Sequence, residues 1–298
     1  MQNFKYAFRF IGQCFKLARE NEDLQKPWMY LSLGHLNLLV IWLIPLVLVV
    51  GLIDLRPIGM LLIGLICVLV LISMLVWGEL TSLGTCQAFD SISGQSDRYI
   101  EEDHEPASFI THWLDILLLV LSIPGLYLIA AVQGVFSNLN QQTLAWLDAQ
   151  PLIQPILIIE NRTLREGFER AKAIFHDNAL RIRPGFIRVR WIANLVQWFL
   201  VAVGIVGAFL IGLRFADPMT SSRRSRVIGA MVGLFTAGGL TSLGIAFSTF
   251  VRACYHTALY QWVRLTEKAR HEKTDELVTT PDILEKAISR SFSNKKER

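Results

Sequence analysis

The fold class is decided by two apolar stretches, LSLGHLNLLVIWLIPLVLVVGLI (residues 31–53) and IGMLLIGLICVLVLISMLVW (residues 58–77). Each is about as long as the roughly 20 helical residues that cross a hydrocarbon core. Only Asp54–Pro57 separates them, so the pair predicts a tight antiparallel transmembrane hairpin. Because lipid offers the backbone no hydrogen-bond partners, segments that cross it alone are helices. The sequence therefore predicts an all-α, polytopic membrane protein.

Four further apolar segments raise the predicted number of spans to six. Trp191–Leu213 and Val227–Thr249 are strong spans, and Trp113–Val135 contains a Pro-Gly pair in its middle that predicts a kink. Thr143–Ile159 is weak, because it contains Asp148, Pro151, Gln154 and Pro155. On hydropathy alone this fourth segment fits a broken span, a re-entrant segment or a surface loop.

The distribution of Lys and Arg favours six crossings over five, because cytoplasmic flanks carry an excess of both residues. With six spans and a cytoplasmic N-terminus, 24 of the 29 basic residues are inside; with five spans only 10 are. Both termini and residues 161–190 are then cytoplasmic. Arg223, Arg224 and Arg226 remain on the outer side, against the rule.

Composition supports one membrane domain, residues 1–272, followed by a cytoplasmic tail, residues 273–298, with a short helix. The chain has 298 residues, a mean hydropathy of +0.41 and 18% charged residues, against roughly 25% in soluble domains. Its four cysteines are scattered, with no CxxC pair and no metal-ligand spacing. No nucleotide, catalytic or cofactor motif is present, so we expect no cofactor.

Residues 3–19 are predicted to form an amphipathic helix that lies on anionic lipid. The predicted lipid-interface residues are an apolar stripe and its basic flanks: Phe4, Phe8, Ile11, Phe15, Lys5, Arg9 and Lys16. The alternative is a helix packed against the cytoplasmic loops of the protein itself. Because the basic residues lie at membrane edges, we expect a phospholipid partner and no nucleic acid.

Two other helices are predicted outside the hydrocarbon core. Thr163 and Glu166 form a capping-box pattern that begins one, with Leu164, Phe168, Ala171 and Phe175 on one face. The last span is predicted to continue as one long helix to about Arg270, because no Pro or Gly interrupts it.

Small residues at every fourth position give the packing prediction, since they let helix backbones approach closely. The predicted helix-packing residues lie on two neighbouring spans: Gly204, Ala208 and Gly212 on one, and Gly229, Gly233 and Ala237 on the other. We expect the two helices to pack together, with Gly233 nearest Ala208. The alternative is a self-association face.

Polar groups within the predicted spans are the candidate functional residues. His112 and Asp115 stand at i and i+3, as in a proton relay or half a metal site, and Asp148 lies in the weak fourth span. Four other polar groups in the spans fit hydrogen bonds between helices: His35, Asn37, Asn194 and Gln197. The acidic loop around residues 101–105 lacks the spacing of a calcium loop.

Loose motifs resemble those of bacterial six-helix membrane proteins related to the membrane domain of glycerophosphodiester phosphodiesterases. They are Pro155–Asn161, Leu164–Gly167, Arg170–Lys172 and Ala258–Tyr260, and the layout of nearly the whole chain is similar. Gly167 and Ala173 depart from the pattern. In the enzyme-linked members of that group catalysis belongs to a separate domain, so the resemblance implies a bacterial inner-membrane protein without catalytic residues.

These features together predict a non-catalytic inner-membrane scaffold or an accessory subunit of a membrane complex, with a second copy or another protein as its partner. The rival hypothesis is a small permease or channel whose polar groups converge on one cavity near the membrane midplane. A third hypothesis, a membrane-embedded enzyme, requires His112, Asp115 and the acids of residues 101–105 to surround a metal.

Overall fold

The structure, a computed structural model, describes residues 2–52, 57–93, 114–115, 118–119, 150, 152–215 and 223–271. Of these residues 97% are helical and none lies in a strand, which confirms the all-helical prediction. The long helices are α1 (Gln2–Glu20), α2 (Glu22–Leu52), α3 (Pro57–Ser93), α4 (Leu164–Phe215) and α5 (Arg223–His271). A short helical segment covers residues 152–159.

Four helices of the described part are long and apolar enough to cross a membrane. The candidate spans are Glu22–Pro45, Gly64–Ile92, Val189–Phe215 and Met231–Glu267, and they overlap the four strong predicted spans. The predicted span at residues 113–135 lies mostly outside the described residues, and of the predicted span at residues 143–159 only residue 150 and the helical residues 152–159 are described. The count of six therefore stays a prediction.

Local sequence explains where the helices begin. Pro57 is the first residue of α3, where its missing N–H costs nothing. Before α4, the Thr163 N–H donates to the Glu166 carboxylate (3.2 Å) and the Glu166 N–H donates to the Thr163 hydroxyl (3.5 Å), which confirms the capping box. Asn161 has a φ of 50°, and this left-handed residue separates segment 152–159 from α4.

Two of the long helices, α4 and α5, are longer than the membrane spans that the sequence predicts within them. The helix begun by the capping box and the span at Trp191–Leu213 are one continuous helix of 52 residues, α4. The predicted extension of the last span is confirmed, since α5 continues to His271. The predicted short helix of the tail lies outside the described residues.

The chain divides into two compact units. Unit 1 comprises Met1–Pro27, Ser82–Ile192 and Phe250–Arg298, and unit 2 comprises Trp28–Thr81 and Ala193–Thr249. Unit 1 has its core in segment 152–159, where residues 152–158 are all buried. Unit 2 leaves many large apolar side chains exposed, among them Ile41, Trp198 and Phe209. Such exposure fits a surface that faces lipid rather than water.

Within unit 2, α4 and α5 pack backbone to backbone through their small residues. A Cβ added at Gly233 would lie 3.1 Å from the Ala208 carbonyl oxygen, and one added at Gly204 would lie 3.0 Å from that of Ala237. Residue numbers rise along one helix as they fall along the other, so the helices are antiparallel. The first of these contacts joins Gly233 and Ala208, the pair that the spacing predicts as nearest neighbours.

The outer members of the two small-residue stripes behave differently. A Cβ added at Gly212 would meet nothing within 4 Å. One added at Gly229 would collide with the Phe215 side chain, not with backbone. The close approach of α4 and α5 therefore includes Gly204, Ala208, Gly233 and Ala237, and it extends to Gly244, where an added Cβ would lie 3.1 Å from the Gln197 carbonyl oxygen.

Candidate functional site

The end of segment 152–159 brings a carboxylate into a polar cluster in unit 1. Glu160 accepts a hydrogen bond from the Tyr260 hydroxyl of α5 and one from Arg170 Nε of α4 (3.5 Å). Arg162 Nε lies 2.6 Å from the second carboxylate oxygen. Because the side chain of Glu160 is only 14% exposed, these contacts compensate a charge that is largely removed from water.

Arg170 is the centre of this cluster, because it connects Glu160 to a second acid. Its two terminal nitrogens donate to the two carboxylate oxygens of Glu267, one of them across 3.3 Å. Burial alone would lower the pKa of Arg170, but the hydrogen bond and charge of Glu267, with the charge of Glu160, raise it above its ordinary value. Arg170 therefore stays charged at every physiological pH.

The cluster continues along α5 to the end of α3. Gln261 donates a 2.6 Å hydrogen bond from its amide nitrogen to Asp90, which also lies in the electrostatic field of Arg264. We call the connected residues the polar network: Asp90, Glu160, Arg170, Tyr260, Gln261, Arg264 and Glu267. It joins α3, α4, α5 and the end of segment 152–159.

Sequence reasoning did not identify the polar network as a site. Glu160, Arg170 and Tyr260 entered only as letters of the resembled motifs. A usable signal is present on α5, where Tyr260, Arg264 and Glu267 follow at i, i+4 and i+7 and so share one helix face. Their partners are distant in sequence, and periodicity cannot find distant partners.

A shallow depression opens beside the polar network at the start of α4. Its lining residues are Arg162, Thr163, Arg165, Glu166, Glu169 and Arg170. Arg162 and Arg170 are held by Glu160, and Glu166 caps the helix. Three of the charged residues that line the depression, Arg162, Arg170 and Glu166, therefore already have partners within the protein.

α1 packs against the rest of unit 1, and its buried face coincides only in part with the predicted apolar stripe. Ala7, Phe10, Ile11, Cys14 and Ala18 are buried. The Phe10 ring meets Tyr255 edge to face at 5.3 Å, and Phe15 lies 5.3 Å from Phe250. The face at Ile11 and Phe15 is thus covered by protein, as in the alternative that the sequence left open.

The other predicted lipid-interface residues of α1 divide into two groups. Phe8 is 57% exposed, and Arg9 and Lys16 are also exposed, so these three remain available to lipid. The side chains of Phe4 and Lys5 lie outside the described residues.

Three of the four cysteines, scattered in sequence, come together in unit 1. Cys14, Cys86 and Cys254 are all fully buried. The Cys14 and Cys254 thiols share a hydrogen bond, and the Cys86 thiol donates to the Ala253 carbonyl at 3.9 Å. Buried thiols of this kind act as small apolar side chains. In the described part of the chain, no three His, Cys, Asp or Glu residues are arranged to hold a metal ion.

The structure describes only some of the candidate polar residues of the spans. His112 and Asp148 lie outside those residues, while Asp115 is half-buried. His35 is buried in unit 2, with one ring nitrogen 2.6 Å from the Leu31 carbonyl oxygen and the other 3.2 Å from that of Met74. The side chain of His35 therefore lies between backbone carbonyls of α2 and α3, and Asn37, two residues further along α2, is exposed.

Comparisons with known proteins add no relative. Neither a scan against protein-family models nor searches of curated proteins and of solved structures found a match to this chain. The resemblance in layout to six-helix bacterial membrane proteins therefore receives no support from them.

Proposed function

We propose that this chain is a non-catalytic, multi-pass membrane protein that acts as a scaffold or as an accessory subunit of a membrane complex. The polar network carries the proposal. Glu160, Arg170, Tyr260 and Glu267 bond to one another, and Gln261 bonds to Asp90, so that these contacts hold four segments of unit 1 together. An active site or a transport site instead directs such groups at a substrate. Because the charges of the polar network pair with one another, they fix the segments of unit 1 in place. A rigid unit of this kind favours a role as a platform on which another protein docks.

The proposed location is the bacterial inner membrane, with six spans and both termini in the cytoplasm. The four apolar helices support membrane embedding, and the distribution of 24 of 29 basic residues supports this orientation. The exposed Phe8, Arg9 and Lys16 of α1 support contact with anionic lipid at the inner surface.

The topology is tested by cysteine accessibility in intact cells. We expect single cysteines introduced at Arg165, which is exposed, and at Ser291 to resist an impermeant thiol reagent until the membrane is opened. A cysteine at Leu55, in the predicted outer turn, is the matched control and should react at once. Labelling of either cytoplasmic position in sealed cells would overturn the orientation.

The rival permease hypothesis requires His35 to line a water-filled cavity near the membrane midplane. The arrangement in unit 2 favours a structural role, since both ring nitrogens face backbone carbonyls of α2 and α3. Proteoliposomes that contain the chain should therefore pass protons and small solutes no faster than empty vesicles. A flux that His35→Ala abolishes would establish the permease and overturn the scaffold.

The scaffold itself is tested by the state of the chain in native membranes. Extracted in lipid nanoparticles without detergent, it should migrate with a fixed second component and well above its own 33.7 kDa. The purified components should form the same particle again when mixed. A chain that migrates alone under all these conditions would contradict the proposal.

A further inference from the structure

One side of α2 is exposed between residues 30 and 44. The exposed residues follow one another at alternating steps of three and four, and the four large side chains among them are 46–61% exposed. Such spacing keeps side chains in a single stripe along a helix. We call this stripe the α2 face: Tyr30, Leu33, Asn37, Val40 and Ile44.

The opposite side of α2 packs within unit 2. Leu31, His35 and Leu39 follow one another at steps of four on that side. Leu31 is fully buried, and His35 lies between backbone carbonyls of α2 and α3. A Cβ added at Gly238 of α5 would collide with the Leu39 side chain. Contacts with α3 and α5 therefore occupy this side of the helix, and the α2 face points outward.

Asn37 is the polar member of the α2 face. It is exposed, and both the predicted span at residues 31–53 and the candidate span Glu22–Pro45 contain it. Asn37 lies at least six residues, or about 9 Å, from either end of both spans, so its short amide cannot reach the headgroups. Because hydrocarbon offers no hydrogen bonds, an exposed amide at this depth costs free energy until a partner covers it.

A second copy of the chain is the partner that matches this face. A carboxamide both donates and accepts hydrogen bonds, so two carboxamides can bond to each other. Copies of one chain insert with the same orientation, and a two-fold axis normal to the membrane then brings each residue to its own counterpart at equal depth. We propose that two copies pair through the α2 face, with their Asn37 amides hydrogen-bonded to each other inside the membrane.

The spacing of the α2 face fits such a parallel pair. Steps of three and four are the heptad pattern of left-handed helix pairs, which is also the common crossing of transmembrane helices. A single Asn in a heptad seam specifies the register, and Leu33 and Val40 pack on either side of it. The inference rests on the proposed membrane location and names a second copy as a partner of the proposed scaffold.

Energy transfer between full-length copies tests the pair. The purified chain, labelled at its C-terminus with donor or acceptor, is reconstituted in phosphatidylcholine vesicles and diluted with further lipid. We expect transfer in the wild type, and Asn37→Leu should raise the dissociation constant, as a mole fraction in lipid, about tenfold. Asn37→Gln keeps the amide and should remain closer to wild type. Equal dissociation of wild type and Asn37→Leu would overturn the proposal.

Asn194→Leu is the matched control, since it makes the same exchange on another helix of unit 2, at a half-buried position of α4. It should leave the dissociation constant unchanged, and an equal rise there would overturn the specific role of Asn37. Leucine at position 37 places an apolar side chain against lipid, so Asn37→Leu should still insert and fold.

Cross-linking in native membranes locates the contact. Val40→Cys on the α2 face and Val206→Cys on α4 replace valines that are 46% and 57% exposed. Under mild oxidation with copper phenanthroline, Val40→Cys alone should form a covalent dimer above the level of the chain with its own four cysteines. Dimers formed equally by both variants, or by neither, would overturn the α2 face as the interface.

The pair and the scaffold fail in different ways. A chain that inserts, stays monomeric in vesicles and migrates with a different protein from native membranes would keep the scaffold and overturn the second copy as the occupant of the α2 face. A chain that does not enter bilayers would defeat the proposed function as well.

Discussion

Gly233→Leu is expected to destabilise the protein by about 3 kcal/mol, at the upper end of the roughly 1–3 kcal/mol that overpacking costs. A Cβ at this position already lies 3.1 Å from the backbone oxygen of Ala208, and a backbone cannot rotate aside as a side chain can. The remainder of the leucine has to separate α4 from α5. The fraction unfolded, titrated with sodium dodecyl sulfate in mixed micelles, measures the loss.

Gly212→Leu is the matched control for this prediction. Gly212 belongs to the same predicted small-residue stripe as Gly204, but an added Cβ meets nothing within 4 Å there. Both substitutions replace a helical glycine by a better helix former, so the difference between them isolates the contact. Equal stabilities of the two variants would show that α4 and α5 do not touch at Gly233.

The same pair of glycines shows what a sequence pattern contains and what it omits. Spacing of four places Gly204, Gly212 and Gly233 on helix faces, and it names Ala208 as the partner of Gly233. It does not give the crossing of the two helices, which decides that Gly204 is in contact and Gly212 is open. Helix existence and small-residue faces are local properties, whereas the extent of a contact depends on both partners.

α1 shows the same limit at the level of a single helix. The spacing of Phe8, Ile11 and Phe15 predicts a helix, and the structure has one over Gln2–Glu20. The pattern could not decide what covers the helix, because Tyr255 and Phe250, which contact α1, are more than two hundred residues away. Phe10, absent from the predicted stripe, is buried at 1% exposure against Tyr255 for this reason.

The polar network was the least predictable part of the chain. Its acids and arginines lie in segments that are separate in sequence, and each reads alone as an ordinary surface charge. Only the fold makes the side chain of Arg170, 28% exposed, face that of Glu267, 27% exposed. Partial burial matters here, because exposed ion pairs contribute little to stability.

Arg170→Met should therefore cost about 1–3 kcal/mol, since it leaves Glu160 and Glu267 in a partly buried place without their common donor. The loss should be smaller than the roughly 3–5 kcal/mol for breaking a fully buried pair, because water still reaches these side chains. Lys26→Met is the control: Lys26 pairs with Asp23 at 3.2 Å, but the two side chains are 58% and 74% exposed. That variant should lose less than about 0.5 kcal/mol.

A double-mutant cycle of Arg170→Met with Glu267→Gln separates the pair from its surroundings. Residues that share a hydrogen-bonded ion pair show coupling energies of roughly 0.5–3 kcal/mol, whereas independent sites add. We expect coupling near 1–2 kcal/mol that survives high salt better than the Lys26–Asp23 contact does, because screening acts mainly on exposed charges. Strict additivity would mean that Arg170 and Glu267 do not bond in the folded protein. The proposal of an internally matched platform would then lose its main support, because Arg170 connects α4 to both Glu160 and α5.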